Sequence, residues 1–321
     1  MTAVACPITP LDGRQIFALA AAGYLQRTPR QLPSKYLYDE LGSALFEAIC
    51  RLPWYRVTRA ESALLAAHAR DILAPLDRPL SIAELGCGSG DKLATLLEHA
   101  AEGIETVRLI DISRSALEMA VRRLEPLRVP RIVSHHGSYE DGLARLPHGR
   151  RDGALLVLFL GSNIGNFDPP AAAELLAQIR LSLRAGDALL LGTDLEKSER
   201  DLLLAYDDPL QVTAAFNRNL LRRVNDELGG TFDLASFHHR AVWNRLRHRV
   251  EMHLVSARRQ TVRIAAANLE VSFAAGESIW TESSYKYDPA RVVVDGTRAG
   301  FGFSQQWVDE QAGFALTRFT V

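Results

Sequence analysis

The chain has 321 residues, 47% hydrophobic and 23% charged, which fits a globular protein of one large domain or two ordinary ones with a full core. Its 37 basic and 38 acidic residues leave a net charge of −1, which argues against a nucleic-acid binder that relies on a broad basic face. Apolar stretches such as Ala154 to Leu160 are far too short to span a bilayer, and the N-terminal MTAVACPITPLDGR lacks the basic flank and apolar core of a signal peptide.

The three cysteines, Cys6, Cys50 and Cys87, form no CxxC pair, so neither a disulfide scaffold nor a thiolate zinc site is expected. The expectation is a cytoplasmic, monomeric protein that meets neither membrane nor nucleic acid. Lysine is scarce: Lys35, Lys92, Lys197 and Lys286 are the whole set. Genomic base bias explains that, but a lysine kept in an arginine-rich chain is worth following.

Residues 1–60 read as helical and loop-like, broken at Pro29, Pro33 and Pro53. From there the chain alternates strand and helix. Ser81–Leu85 is a short strand ending in glycines, and Asp91–Ala101 carries Leu93, Leu96, Leu97 and Ala100 at helical spacing. Thr106–Ile110 is a second strand. Ser115 with Glu118 fits a capping box, followed by a buried stripe of Leu117, Val121 and Leu124. Arg131–Ser134 is a third strand. Ala154–Leu160 shows no alternation, as expected of a strand buried on both faces of a parallel sheet. Leu175, Leu176, Ile179 and Leu183 mark a helix stopped by Gly186, and Ala188–Leu191 is another buried strand. This pattern predicts a doubly wound α/β sheet.

Beyond residue 197 the pattern changes. Pro209–Leu228 reads as a long helix, and Asp207–Asp208 before it as a helix-start or loop acid pair. Val250–Ser256, Thr261–Ile264 and Leu269–Phe273 read as an antiparallel meander. Phe314–Thr320 reads as a strand returning to the core sheet. The expected architecture is a Rossmann-like α/β core with a second, mixed α+β domain built from both flanks. The core takes residues 61–196 and 286–321; the second domain takes 1–60 and 197–285.

Glu84-Leu-Gly86-Cys-Gly88-Ser-Gly90-Asp-Lys92 lies between a strand and a helix, where glycines permit a tight turn and close approach of a ligand. The third glycine follows the second by two residues, not the three of a dinucleotide fingerprint, and no Walker ending is present. The ExGxGxG form is typical of S-adenosylmethionine-dependent methyltransferases. Asp111 ends the second strand, where an acid can take both hydroxyls of a ribose. Lys92 opens the next helix and could face the cofactor's carboxylate. The plainer alternatives are a Gly-rich turn, a helix-capping Asp and a surface Lys.

Leu160-Gly-Ser-Asn163-Ile-Gly-Asn166 follows the most buried strand, at the end of the sheet where ligands bind in open α/β folds. Asparagines offer donor and acceptor without charge, which suits an amine that must be neutral to attack. Asp168-Pro-Pro170 is similar to the DPPY of nucleic-acid amino-methyltransferases, but Ala171 replaces the aromatic residue. An N-cap Asp with Pro at the first helical position accounts for it. His135–His136 and His238–His239 are adjacent pairs that point opposite ways on a strand, no HExxH occurs, and no metal site is expected. Cys87 reads as a small filler.

A wider set of segments then falls into place. They are Lys35-Tyr-Leu-Tyr38-Asp-Glu-Leu-Gly-Ser-Ala-Leu-Phe46, Leu52-Pro-Trp-Tyr55-Arg-Val-Thr-Arg59-Ala-Glu61, the glycine loop, Ile110-Asp-Ile-Ser113, Phe159-Leu-Gly-Ser-Asn-Ile-Gly-Asn166, Tyr206, Met252 and Thr281-Glu-Ser-Ser-Tyr-Lys286. Spanning nearly the whole chain, they resemble the histidine-specific N-alpha-methyltransferases of ergothioneine biosynthesis, which convert L-histidine to its trimethylated betaine, hercynine.

The resemblance implies that Glu282 and Ser284 meet the imidazole, with Met252 near it. It also implies that Tyr55, Asn166 and Tyr206 hold the carboxylate and amine end, and that Tyr38 lies near the amine, so that Tyr38 and Asn166 are the catalytic candidates. S-adenosylmethionine would contact Gly86, Gly88, Lys92, Asp111, Ser138 and Tyr139. Two residues apart on an extended segment, Glu282 and Ser284 share one face and offer an acceptor and a hydroxyl to the two ring nitrogens. A buried carboxylate there would also favour the protonated ring. Val57 replaces the family's usual Pro, and Ser138 stands where the family often has an acid facing the adenine amine, which makes the adenine contact the weakest carry-over. The alternatives left open are a methyltransferase for another amino acid or amine, a non-catalytic cofactor-binding module, and a nicotinamide oxidoreductase, which the glycine spacing disfavours.

Overall fold

The computed structural model describes residues 12–99, 103–146 and 152–321. Cys6, Ala100 and Ala101 lie outside the described residues. In chain order the strands are β1 (Arg30–Gln31), β2 (Leu80–Leu85), β3 (Ile104–Asp111), β4 (Arg131–His136), β5 (Ala154–Phe159), β6 (Ala188–Asp194), β7 (Phe237–Asn244), β8 (Arg249–Ser256), β9 (Gln260–Ile264), β10 (Leu269–Phe273), β11 (Ser278–Tyr285), β12 (Gly302–Asp309) and β13 (Phe314–Thr320). The helices are α1 (Gly13–Leu25), α2 (Glu40–Cys50), α3 (Val57–Leu73), α4 (Asp91–His99), α5 (Arg114–Leu124), α6 (Tyr139–Ala144), α7 (Pro169–Leu181), α8 (Glu199–Tyr206), α9 (Val212–Leu228) and α10 (Pro289–Arg298).

Seven strands form the main sheet in the order β12-β13-β6-β5-β2-β3-β4. Strands β2 to β6 run parallel, and β13 returns antiparallel against β6, as its sequence suggests. Every residue of β5 is buried, which is why that strand lacks alternation. Leu156 and Leu158 face one apolar layer; Leu155, Val157 and Phe159 face the other. Order, parallel core and returning strand make this the Rossmann-like α/β sheet expected of a class I methyltransferase.

A second sheet has the order β1-β11-β8-β7, and β9-β10 is a separate hairpin. The single meander expected over 250–273 is therefore not formed: β8 pairs with β7 and β11, not with β9. Strand β7 carries polar His238, His239 and Arg240 and was not legible as a strand. The long helix begins at Val212, and a separate helix, α8, precedes it. Asp208 lies between them and accepts hydrogen bonds from the backbone N–H groups of Val212 (3.2 Å) and Thr213 (2.7 Å), a helix-start role.

Two local expectations shift. The N-cap of α5 is Ser113, which accepts from Ala116 N–H; Ser115 lies inside the helix and bonds the Ser113 hydroxyl. Asp168 does occupy the N-cap of α7 with Pro169 behind it, but its carboxylate accepts from Tyr285 Oη (2.7 Å) instead of capping.

The two sheets meet at one seam. Tyr287 N–H donates to Asp194 C=O (3.0 Å) and Glu196 N–H donates to Tyr287 C=O (3.0 Å), which joins the chain after β11 to the carboxyl end of β6. Among the described residues no helix is long and apolar enough to cross a membrane.

Candidate active site

The glycine loop turns sharply because Gly86, Gly88 and Gly90 all take positive φ (75°, 50° and 79°). A Cβ on Gly86 would sit 2.7 Å from Asn163 Nδ2, and one on Gly90 would sit 2.9 Å from Ala120 Cα. The first glycine keeps the loop against the Asn163–Asn166 turn, and the third lets it pack on α5. Beside the loop, Asp111 accepts from Gly88 N–H (3.1 Å) and Ser113 N–H (2.8 Å). Burial still raises its pKa against those bonds.

Glu84, at the base of the loop, is buried, its Oε2 has no hydrogen-bond partner, and burial pushes its pKa up to about 8. An orphaned buried carboxyl oxygen, a glycine turn open at Gly88 and an acid at the end of β3 fit a nucleoside-bearing cofactor with an amino-acid tail.

Lys92 does more than open a helix. Its Nζ lies 3.0 Å from Glu61, a fully buried carboxylate on α3 whose two oxygens both accept from Gly161 N–H at 2.8 Å. Burial opposes the Lys92 charge, but Glu61 and Glu84 hold its pKa above that of ordinary lysine. One ammonium hydrogen is committed to Glu61, so two remain for a cofactor carboxylate. In sequence Glu61 enters only as the end of the Leu52–Glu61 segment, with no role of its own.

Ser138 is the N-cap of α6: it accepts from Asp141 N–H and donates to Asp141 Oδ2 (3.0 Å). Its hydroxyl is thus tied to Asp141, which brings a carboxylate next to a position that lacks one. The Tyr139 ring packs edge-on to Phe159 at 5.2 Å, with its hydroxyl toward Gly86.

On the far side of the Asn163–Asn166 turn is a cavity lined by Tyr38, Tyr55, Asn163, Asn166, Tyr206, Met252, Glu282 and Ser284, closed by Phe46, Ile49 and Phe216. Residues scattered from 38 to 284 converge here. Tyr38 is held edge-on by Phe46 and Phe216, each at 5.5 Å. Tyr55 packs edge-on to Tyr206 at 6.2 Å. Burial raises the pKa of Tyr38, Tyr55 and Tyr206, so all three keep their protons and none is a phenolate base at neutral pH.

Glu282 and Ser284 reach one wall through an irregularity in β11. Trp280 pairs with His253, but Glu282 pairs with Met252, so Thr281 is an extra residue in the ladder. Ile279, Thr281, Glu282 and Ser284 are all buried as a result. Without the bulge, the alternation set by Ile279 and Thr281 would turn Glu282 and Ser284 to the other face. The Thr281 hydroxyl donates to Met252 C=O (3.0 Å) and pins the bulge.

Among the described residues no hydrogen bond reaches the Glu282 carboxylate, and burial raises its pKa to about 7 against the lowering effect of Lys286. Lys286 is wholly buried and bonds Asp194 (2.8 Å), Tyr206 Oη (2.7 Å) and Ser284 Oγ (2.9 Å). Asp194 also pairs with Lys197 at 2.7 Å. His239 braces Tyr206 from behind: its Nδ1 accepts from Asn217 (2.9 Å), so its Nε2–H donates to Tyr206 C=O (2.7 Å). Three of the chain's four lysines thus lie in or next to the site. Asp194, Lys197 and His239 were not anticipated.

A family model described as a histidine-specific, SAM-dependent methyltransferase matches residues 18–321. The histidine N-alpha-methyltransferase of Mycolicibacterium smegmatis is 42% identical over 298 residues, covering 91% of each chain. The histidine N-alpha-methyltransferase of Mycobacterium tuberculosis is 40% identical over 296 residues, again covering 91% of each chain. A more distant relative, the L-tryptophan methyltransferase of Psilocybe serbica, is 28% identical over 315 residues, covering 89% of this chain and 87% of its own. With a family match over nearly its whole length and a cavity that gathers the residues of the motifs, the chain belongs to the histidine-specific, S-adenosylmethionine-dependent methyltransferases.

Proposed function

We infer that the protein transfers methyl groups from S-adenosylmethionine to the alpha-amino group of L-histidine, three times, giving hercynine for ergothioneine biosynthesis. The observation that carries this is the cavity wall of Glu282, Ser284 and Met252 facing Tyr38, Tyr55, Asn166 and Tyr206, next to a glycine loop with an orphaned buried carboxyl. Glu282 and Ser284 take the two imidazole nitrogens. Tyr55 and Asn166 hold the carboxylate and amine end, Tyr206, its hydroxyl already bonded to Lys286 and Ser284, offers that end its ring, and Tyr38 lies at the amine. Gly86, Gly88, Lys92, Asp111, Ser138 and Tyr139 hold the cofactor, and Glu84 joins them.

The cofactor supplies a methyl group on a sulfonium centre. The residues position the amine for in-line attack, and alignment of two bound reactants is the main source of rate. Around the amine they are neutral phenols and an amide. Among the described residues lining that end of the cavity none is a carboxylate that would clamp the ammonium as protonated, and aromatic faces accept the growing methylammonium charge. The amine gives its proton to water near pH 8, where a model α-amine becomes neutral.

The division of labour follows the two sheets. Residues 61–196 and 286–321 chiefly carry the cofactor, and 1–60 and 197–285, joined by Asn166, the substrate. The protein acts as a cytoplasmic monomer on a small molecule. Mass spectrometry of purified protein with S-adenosylmethionine and a panel of amino acids tests the reading. Histidine gaining three methyl masses is expected. Product from another amine and none from histidine would overturn the substrate assignment.

A further inference from the structure

The Lys286 ammonium has three hydrogens and three acceptors: Asp194 Oδ2, Tyr206 Oη and Ser284 Oγ, all within 2.9 Å. It has no donor left for a ligand. Tyr206 Oη and Ser284 Oγ lie 2.7 Å apart and share one further hydrogen bond. A phenol is a stronger donor and a weaker acceptor than an aliphatic alcohol, so Tyr206 donates and Ser284 accepts. Ser284 Oγ then accepts twice, from Lys286 and from Tyr206, and both its lone pairs are used. What remains is one O–H, on a residue that lines the substrate cavity.

We propose that Lys286, anchored by Asp194, is a positioning residue that makes Ser284 a donor only, so that the pocket selects a ring presenting a lone-pair nitrogen at Ser284 and an N–H at Glu282. This rests on the reading of the site as a histidine pocket. It reverses one expectation drawn from the carboxylate alone. Glu282 by itself favours imidazolium, but imidazolium would point N–H at a hydroxyl with no free lone pair. An indole ring, which has an N–H and no acceptor nitrogen, would leave the Ser284 hydroxyl buried without a partner. The charges facing the pair support the order: Asp194 lies between Lys286 and Lys197, and its carboxylate keeps Lys286 protonated.

The direct test is 15N NMR of ring-labelled L-histidine bound to the wild-type protein with S-adenosylhomocysteine, between pH 7 and 8. One protonated and one unprotonated ring nitrogen are expected; two imidazolium nitrogens would overturn the proposal. The role of Lys286 is tested with the Lys286→Met variant. The kcat/KM preference for histidine over a pyrrolyl-alanine, which keeps an N–H and lacks the acceptor nitrogen, is expected to be about 100-fold in wild type and below about 10-fold in the variant. Equal loss for both substrates, with the preference intact, would show a merely structural role and overturn it. If Lys286→Met does not fold because Asp194 is left poorly paired, the Asp194→Asn/Lys286→Met double variant gives the same comparison. Failure of wild type to methylate histidine would strike the proposed function; turnover of histidine bound as imidazolium would strike only this inference.

Discussion

Glu282 stands opposite Met252 across the β8–β11 ladder, although Trp280, two residues earlier, stands opposite the adjacent His253. That one-residue slip at Thr281 is what puts the carboxylate on the cavity wall. Because the Thr281 hydroxyl bonds Met252 C=O, the Thr281→Val variant should loosen the wall while leaving the cofactor loop untouched. The expected result is a rise in KM for histidine of about 5- to 10-fold and a stability loss of about 1 kcal/mol, with S-adenosylmethionine affinity unchanged. Steady-state kinetics and denaturant unfolding check it; an unchanged KM would show that the bulge holds itself.

The Glu282 carboxyl titrates at about 7, above its ordinary 4.5, because it is buried. Folding therefore favours the protonated form. Stability from this group is full below the unfolded pKa and declines as pH rises through about 7. Glu282→Gln should stabilise the substrate-free protein by about 1–3 kcal/mol at pH 8 and by little at pH 4.5. The same variant should remove the limb of the kcat/KM profile near pH 7, leaving only the ionisations of histidine itself. Thermal unfolding at the two pH values and a pH–rate profile provide the measurements.

Glu61 holds Gly161 N–H and Lys92 at once from a fully buried position. Glu61→Ala leaves a backbone donor and a partly exposed ammonium without their partner. A stability loss of about 2–3 kcal/mol is expected, the smaller for the access of Lys92 to water. Cofactor affinity should fall at least about 10-fold, because Lys92 loses its anchor. Calorimetric titration with S-adenosylmethionine decides; full affinity would remove Lys92 from the cofactor site.

Asp208 carries the start of α9, the helix that brings Thr213 and Phe216 to the cavity. Desolvation pushes its pKa up, but the backbone hydrogen bonds from Thr213 and Val212 outweigh it and hold the carboxyl below the usual value. The stabilisation is present above the unfolded pKa and is lost as pH falls through the depressed folded value. Asp208→Ala should cost about 1–2 kcal/mol at pH 7, read as a lower Tm, and markedly less in strong acid.

The glycine loop, Lys92 and Asp111 were legible in sequence as one candidate site because they are neighbours. A strand, three glycines, a helix and an acid at the next strand end all fall between Leu80 and Asp111, and each has its own local signature. The substrate half was not legible from spacing, since Tyr38, Tyr206 and Glu282 come from three distant segments, and only the family resemblance joined them. Glu61 stood in a quoted segment without a role, because burial of a helix carboxylate depends on what packs above it. The bulge at Thr281 was silent because an extra residue changes register without changing composition. Strand β7 was missed where its polar residues hide the alternation, and Ser115 was preferred to Ser113 because its Glu118 partner completes a motif that the backbone does not use.

On the proposed function the Glu282 wall reads the imidazole while a separate loop holds the cofactor. Isothermal titration of Glu282→Ala with L-histidine and with S-adenosylmethionine tests it most directly. The account predicts a fall in histidine affinity of about 100-fold with cofactor affinity within about 2-fold of wild type. Histidine affinity unchanged in a variant that still binds the cofactor would contradict it.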